Sequence, residues 1–141
     1  MKITVETLVK APLKHVWDAW NNPADIKQWN SAQEDWHTTH STVDLREGGK
    51  FLSRMEAKDG SEGFDFEGTY TRIEPHRLIE YAFGDRTASV VFSEGADGVT
   101  VQVAFDPENE YPPEQQRDGW QAILDRFGRY AEARHRQAAS A

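Results

Sequence analysis

The sequence predicts an α+β fold: a curved antiparallel sheet of about seven strands, with a long C-terminal helix lying on it and two short helices after the first strand. Three observations carry that prediction. Period-2 alternation recurs between residues 3 and 105, turn residues separate those runs at hairpin spacing, and a stripe of apolar residues at helical spacing ends the chain. At 141 residues the chain fits one domain, 1–141, large enough to bury a core of its own.

Ile3, Val5, Thr7 and Val9 alternate with Thr4, Glu6, Leu8 and Lys10, which gives a first strand ending at Ala11-Pro12. Pro12 suits a helix start, and Val16, Trp17 and Trp20 fall at helical spacing until Asn21-Asn22-Pro23 stops the run. Residues 25–29 form a second short helical turn. A strand over 39–45 then meets Arg46-Glu47-Gly48-Gly49, whose glycines supply a turn with positive φ before a strand over 50–57.

The loop 58–63 leads into a long strand over 64–74, closed by Pro75-His76, and a strand over 78–83 follows. Gly84-Asp85-Arg86 turns the chain again. Strands over 87–94 and 99–105 form the clearest hairpin, because Gly95-Ala96-Asp97-Gly98 separates two alternating β-branched runs. Pro112-Pro113-Glu114 starts the last helix, where Trp120, Ile123, Leu124, Phe127 and Ala131 make one stripe. A sheet that covers that stripe has to curve.

Composition narrows the function. Sixteen Lys and Arg stand against 24 Asp and Glu, a formal charge of −8, which argues against a nucleic-acid backbone or an anionic lipid surface as the main partner. Arg126, Arg129, Arg134 and Arg136 make the end of the last helix basic, and the helix dipole accounts for that placement. With no Cys, disulfides, thiol catalysis and thiolate metal sites are excluded. No apolar run is long enough to span a membrane or form a signal-peptide core, so the expected location is the cytoplasm.

Several segments together resemble the SRPBCC superfamily, also called START or Bet v 1-like, the helix-grip fold. They are Val9-Lys10-Ala11-Pro12 with His15-Val16-Trp17-Asp18-Ala19-Trp20, the stretch from Asn22-Pro23 to Trp29, and the turn Arg46-Glu47-Gly48-Gly49-Lys50-Phe51. Gly68-Thr69-Tyr70-Thr71-Arg72-Ile73-Glu74-Pro75 with Leu78-Ile79, and Gly119-Trp120 with Leu124, complete the match. Within the superfamily the pattern looks most like the branch named after the carboxy-terminal domain of the activator of the Hsp90 ATPase. The resemblance implies a sheet wrapped around the last helix and, between them, a cavity for a small apolar or amphipathic ligand.

Alternation identifies the residues that would face that space. Phe51, Ser53 and Met55 share one strand face, and Phe64, Phe66, Gly68 and Tyr70 the next. Tyr81, Phe83, Val90, Phe92, Val101, Val103 and Phe105 continue the wall. The candidate ligand-binding set is Trp20, Trp29, Trp36, Phe51, Met55, Phe64, Phe66, Tyr70, Tyr81, Phe92, Trp120 and Phe127. A filled core and a cavity fit the alternation equally well. What favours a cavity is the polar atoms of Tyr70, Tyr81, Trp36 and Trp120, which need partners when buried.

No catalytic constellation is recognisable, and no cofactor is expected. His37 and His40 stand three residues apart, but in a strand that spacing sends the rings to opposite faces, and no third metal ligand is evident. His15, His76 and His135 read as surface residues. Arg54, Glu56, Asp65 and Glu67 alternate against apolar neighbours and read as cross-strand ion pairs on the outer face. The expectation is therefore non-catalytic binding of a small hydrophobic or amphipathic ligand by a monomer or homodimer.

Two other functions follow from the resemblance. One is a protein-interaction module with a chaperone-type partner, although the eukaryotic activators carry an additional amino-terminal domain for which 141 residues leave no space. The other is a polyketide cyclase- or hydrolase-like enzyme, with Glu80, Arg54 and His37 the available acid or base candidates.

Overall fold

A computed structural model describes residues 2–140. The elements run β1 (Ile3–Val9), α1 (Leu13–Asn21), α2 (Pro23–Trp29), β2 (Trp36–Val43), β3 (Lys50–Ala57), β4 (Gly63–Glu74), β5 (Leu78–Phe83), β6 (Arg86–Gly95), β7 (Gly98–Phe105) and α3 (Pro113–Ser140). All seven strands form one antiparallel sheet in the order β1-β7-β6-β5-β4-β3-β2, curled into a half-barrel around α3. This is the helix-grip arrangement. Because β1 and β2 are opposite edges of the sheet, α1 and α2 carry the chain from one side of the half-barrel to the other.

The inner face is apolar for the reason the alternation gives. Ile3, Val5 and Val9 of β1 and Val99, Val101, Val103 and Phe105 of β7 are buried, and the β1–β7 register sets Ile3 opposite Phe105 and Val5 opposite Val103. Along α3, Leu124, Phe127 and Ala131 are buried at helical spacing, and Gly128 lies over Thr7 and Val9 of β1. Asn22 caps α2, its side chain accepting from the Ala24 N–H at 2.9 Å, and Pro23 opens the first turn.

Three boundaries differ from expectation. The second strand begins at Trp36, paired with Ala57, and ends at Val43. Its register shifts between Thr38 and His40, so His37 faces Glu56 and His40 faces Arg54. The extra residue of a bulge therefore puts both imidazoles on one face, the outer one, where simple alternation had separated them. The sixth strand begins at Arg86, because only Gly84 and Asp85 form the turn and Phe83 pairs with Arg86 across it. Gly84 takes the positive φ of +65° that such a two-residue connection requires. The second helix begins at Pro23 rather than at residue 25.

Candidate ligand cavity

Between the inner sheet face and α3 lies a cavity of about 530 Å³, inside the range of about 300–1,000 Å³ typical of small-molecule sites. Phe51, Ser53 and Met55 of β3, Phe64, Phe66 and Tyr70 of β4, and Ile79 and Tyr81 of β5 form its sheet wall. Trp120, Ile123 and Leu124 of α3 face them. Trp20 and Asn21 of α1, Ile26 and Trp29 of α2, and the following segment with Asn30, Ala32 and Gln33 close one side. That side is tied to α3, since the Tyr130 hydroxyl donates to Asp25 and Arg126 donates to Glu34 at 3.1 Å.

The walls are built of rings braced edge to face. Phe51 meets Tyr81 at 5.0 Å and 82°, and Phe66 meets Phe83 at 5.6 Å and 67°. Trp120 stacks flat on Phe105, with centroids 4.0 Å apart, and this fixes the indole over the sheet. Trp20 stacks on Trp29 at 4.9 Å. At the far end Trp36 and Phe64 meet at 5.8 Å, and Phe64 is 48% exposed, so this pair stands where the cavity opens to solvent.

Trp20, Trp29, Trp36, Phe51, Met55, Phe64, Phe66, Tyr70, Tyr81 and Trp120 of the expected set line this space. Phe92 and Phe127 do not. Phe127 is fully buried with its ring edge-on to Trp20 and Trp29, both at 4.9 Å, and Phe92 packs on Trp17 at 5.1 Å. Both point inward, but the rings of α1 and α2 stand between them and the void. Period-2 and helical spacing identify a face and cannot resolve its depth.

The polar atoms on the wall divide into two groups. Trp29 Nε1 is satisfied inside the protein by the Ala19 carbonyl at 3.0 Å. Among the described residues, nothing hydrogen-bonds the hydroxyls of Tyr70 and Tyr81 or the indole N–H groups of Trp36 and Trp120. Burial pushes the Tyr70 phenol up, helped by the negative charge of Asp44. Burial pushes Tyr81 up as well, with Tyr70 adding to the shift and the positive charge of Arg86 opposing it. Both phenols are therefore neutral at physiological pH, each with one O–H to donate.

Sequence reasoning missed the polar rim. Arg86, Glu108 and Gln116 line the end of the cavity beside Trp120. Gln116 holds the segment after β7 in place: it accepts from the Glu108 N–H at 2.9 Å and donates to the carbonyls of Glu108 at 3.1 Å and Tyr111 at 2.7 Å. The signal for Arg86 was the turn length. A two-residue hairpin loop sets Arg86 directly opposite Phe83 and so on the inner face. Gln116 sits one turn before Trp120 on the α3 stripe, a position its polar side chain hides in an apolar pattern, and Glu108 carries no periodic signal.

The catalytic candidates stand apart from the cavity. Glu80, Arg54 and His37 are not among its lining residues; Arg54 instead pairs with Glu56 at 3.1 Å and Asp65 at 3.4 Å on the outer face. Among the described residues no group of three or more His, Asp or Glu is placed to hold a metal ion. His15 and His135 are half-buried rather than on the surface. Their rings face one another at 5.5 Å between α1 and α3, and His15 Nε2 lies 2.8 Å from the Ala131 carbonyl. His76 is exposed, but its ring rests on Trp17 at 5.5 Å. Among the described residues no helix is long and apolar enough to cross a membrane.

The curled sheet, the gripped helix and the cavity between them define a member of the SRPBCC superfamily. Residues 10–132 match the family described as Activator of Hsp90 ATPase homolog 1-like protein, and the chain belongs to that family. The AHSA1-like protein from Aeromonas hydrophila is 48% identical, covers 94% of this chain and 93% of its own, and superposes with a TM-score of 0.89. Chr148 from Cytophaga hutchinsonii is 45% identical with the same coverage, 94% and 93%, and a TM-score of 0.81. CV1439 from Chromobacterium violaceum shares the fold at 23% identity, a TM-score of 0.83 and coverage of 94% and 98%. Comparison with curated proteins gives no match.

Proposed function

We propose that this chain binds a small apolar or amphipathic molecule, without chemical change, in the cavity between its sheet and α3. The observation that carries this reading is a space of about 530 Å³ walled by aromatic rings, on which two buried phenols have no hydrogen-bond partner among the described residues. Affinity would come from burial of ligand apolar area at about 25 cal/mol per Å², and orientation from the Tyr70 and Tyr81 hydroxyls. A non-catalytic role fits a wall whose buried titratable groups are phenols held neutral, since acid–base work needs a group with a pKa near the operating pH.

Native mass spectrometry of freshly purified protein, compared with a denatured sample, tests for a resident molecule that leaves on unfolding. A fluorescence titration with phenylnaphthylamine tests the cavity itself. Saturable binding that Phe66→Ala and Trp120→Ala both weaken, in variants that remain folded, supports the reading. Undiminished binding in both folded variants removes the site assignment. If no apolar probe binds at all and the protein instead accelerates a purified Hsp90-type ATPase, the function is that of an interaction module suggested by the family name.

A further inference from the structure

The cavity wall is apolar along most of its length, but not where β5 turns into β6. There the two-residue connection sets Arg86 opposite Phe83, on the inner face, with its guanidinium carbon 4.5 Å above the Phe83 ring centroid. Tyr81 is the next inward residue along β5, directly opposite Tyr70 of β4. Arg86 and the Tyr81 hydroxyl therefore lie on one stretch of wall, and its side chain is only 27% exposed.

The contacts that hold Arg86 are long. Glu108 Oε2 is 3.9 Å from it, and its Nη1 donates to the Asp106 carbonyl at 3.4 Å. A charge-assisted N–H···O bond to a carboxylate closes to about 2.7–2.9 Å, and a guanidinium has five donors in a rigid fork. Arg86 is thus half-buried among rings with most of its donor capacity unspent. The Glu108 carboxylate stands 3.9 Å away, on a backbone that Gln116 fixes to the first turn of α3, and so leaves that capacity unspent.

We propose that this end of the cavity holds the acidic group of an amphipathic organic anion, whose oxygens pair with Arg86 and accept from Tyr81 while its apolar body lies along the aromatic wall. This rests on the cavity being a ligand site and adds the chemical class of the ligand. Two carboxylates work against it, Glu108 at the rim and Asp44 beyond Tyr70, so the anion competes with Glu108 for the guanidinium. The excluded alternative is a wholly neutral ligand, which would leave Arg86 desolvated and no better paired than before.

A matched pair of probes separates this from the general reading: anilinonaphthalene sulfonate, an aromatic anion, and phenylnaphthylamine, the same ring system without the sulfonate. The native protein binds the sulfonate more tightly than the neutral probe. Arg86→Gln weakens the sulfonate about tenfold, as loss of a charged hydrogen bond does, and leaves phenylnaphthylamine within about twofold. Glu108→Gln, which removes the nearest negative charge attracting Arg86 and repelling the anion, tightens the sulfonate about threefold. The inference is overturned if both probes lose affinity equally in Arg86→Gln, or if Glu108→Gln weakens the sulfonate as Arg86→Gln does, which is what an ion pair that merely braces the rim would give. Binding of neither probe to the native protein overturns the cavity reading and this one with it.

Discussion

Phe127 and Phe66 both point into the space between sheet and helix, yet they occupy different surroundings, and truncating each should separate stability from binding. Phe127 is fully buried, edge-on to Trp20 and Trp29, with no surface on the cavity. Phe→Ala at such a site costs about 3–5 kcal/mol. An unfolding entropy of about 2.1 cal/mol/K per residue, over 141 residues, is about 0.3 kcal/mol/K, so Tm falls by about 10–17 °C. Phe66 is half-buried, and part of its ring faces the void rather than Phe83, Tyr81 and Trp120. Its removal costs about 1–2 kcal/mol, a Tm drop of about 3–7 °C. A ligand resting on about a quarter of the roughly 200 Å² that a Phe side chain can bury loses about 1.2 kcal/mol, close to an eightfold weakening. Thermal unfolding by circular dichroism and phenylnaphthylamine titration at a temperature where both variants are folded read the two effects. The reasoning fails if Phe66→Ala lowers Tm as far as Phe127→Ala, or if Phe127→Ala weakens the probe as much as Phe66→Ala.

Two further outcomes follow from contacts elsewhere in the sheet. A Cβ at Gly68 would lie 2.6 Å from the Ala82 carbonyl and 2.7 Å from the Phe51 ring; the ring can swing into the cavity but the strand carbonyl cannot, so Gly68→Ala costs about 1–3 kcal/mol and reduces probe affinity, read by the same melts and titrations. Asp106 is lowered to about 2, first by its hydrogen bond from Lys2 and next by the Thr87 N–H, against a usual value of 3.8. A carboxylate depressed in the folded state adds stability that is fully present above its unfolded pKa and is lost as pH falls from about 4 through 2. Asp106→Asn should therefore unfold at lower temperature than the native protein at neutral pH, with the gap narrowing from about pH 4 and closing below about pH 2; a constant difference in Tm across that range would contradict that assignment.

Much of this architecture is written in local pattern. The β6–β7 hairpin and the α3 stripe are legible because burial on one face forces a period of 2 on a strand and about 3.6 on a helix. The inward set on β3, β4 and β5 follows from the same rule and supplies six of the ten expected residues that line the cavity: Phe51, Met55, Phe64, Phe66, Tyr70 and Tyr81. Phe92 and Phe127 obey the same periodicity yet lie a layer deeper, since depth depends on where the rings of Trp17, Trp20 and Trp29 come to rest. Whether aromatic residues fill a core or wall a void depends on sheet curvature and helix height, neither of which leaves a mark on alternation. The bulge after Thr38 is invisible in Thr38-Thr39-His40, so alternation alone sets His37 and His40 on opposite faces where the structure sets them on one. Glu108 reaches the rim through a non-periodic segment, held to Gln116 on α3 by side chain to backbone bonds that composition does not encode.

The most direct test of a ligand cavity is an amide and indole NMR titration of the native protein with phenylnaphthylamine. The account predicts saturation at one equivalent, with shifts concentrated at Trp36, Phe66, Tyr81 and Trp120 on the cavity wall. Spectra unchanged up to the solubility limit of the probe, or shifts gathered on the outer face around Arg54, Glu56 and Asp65, would contradict it.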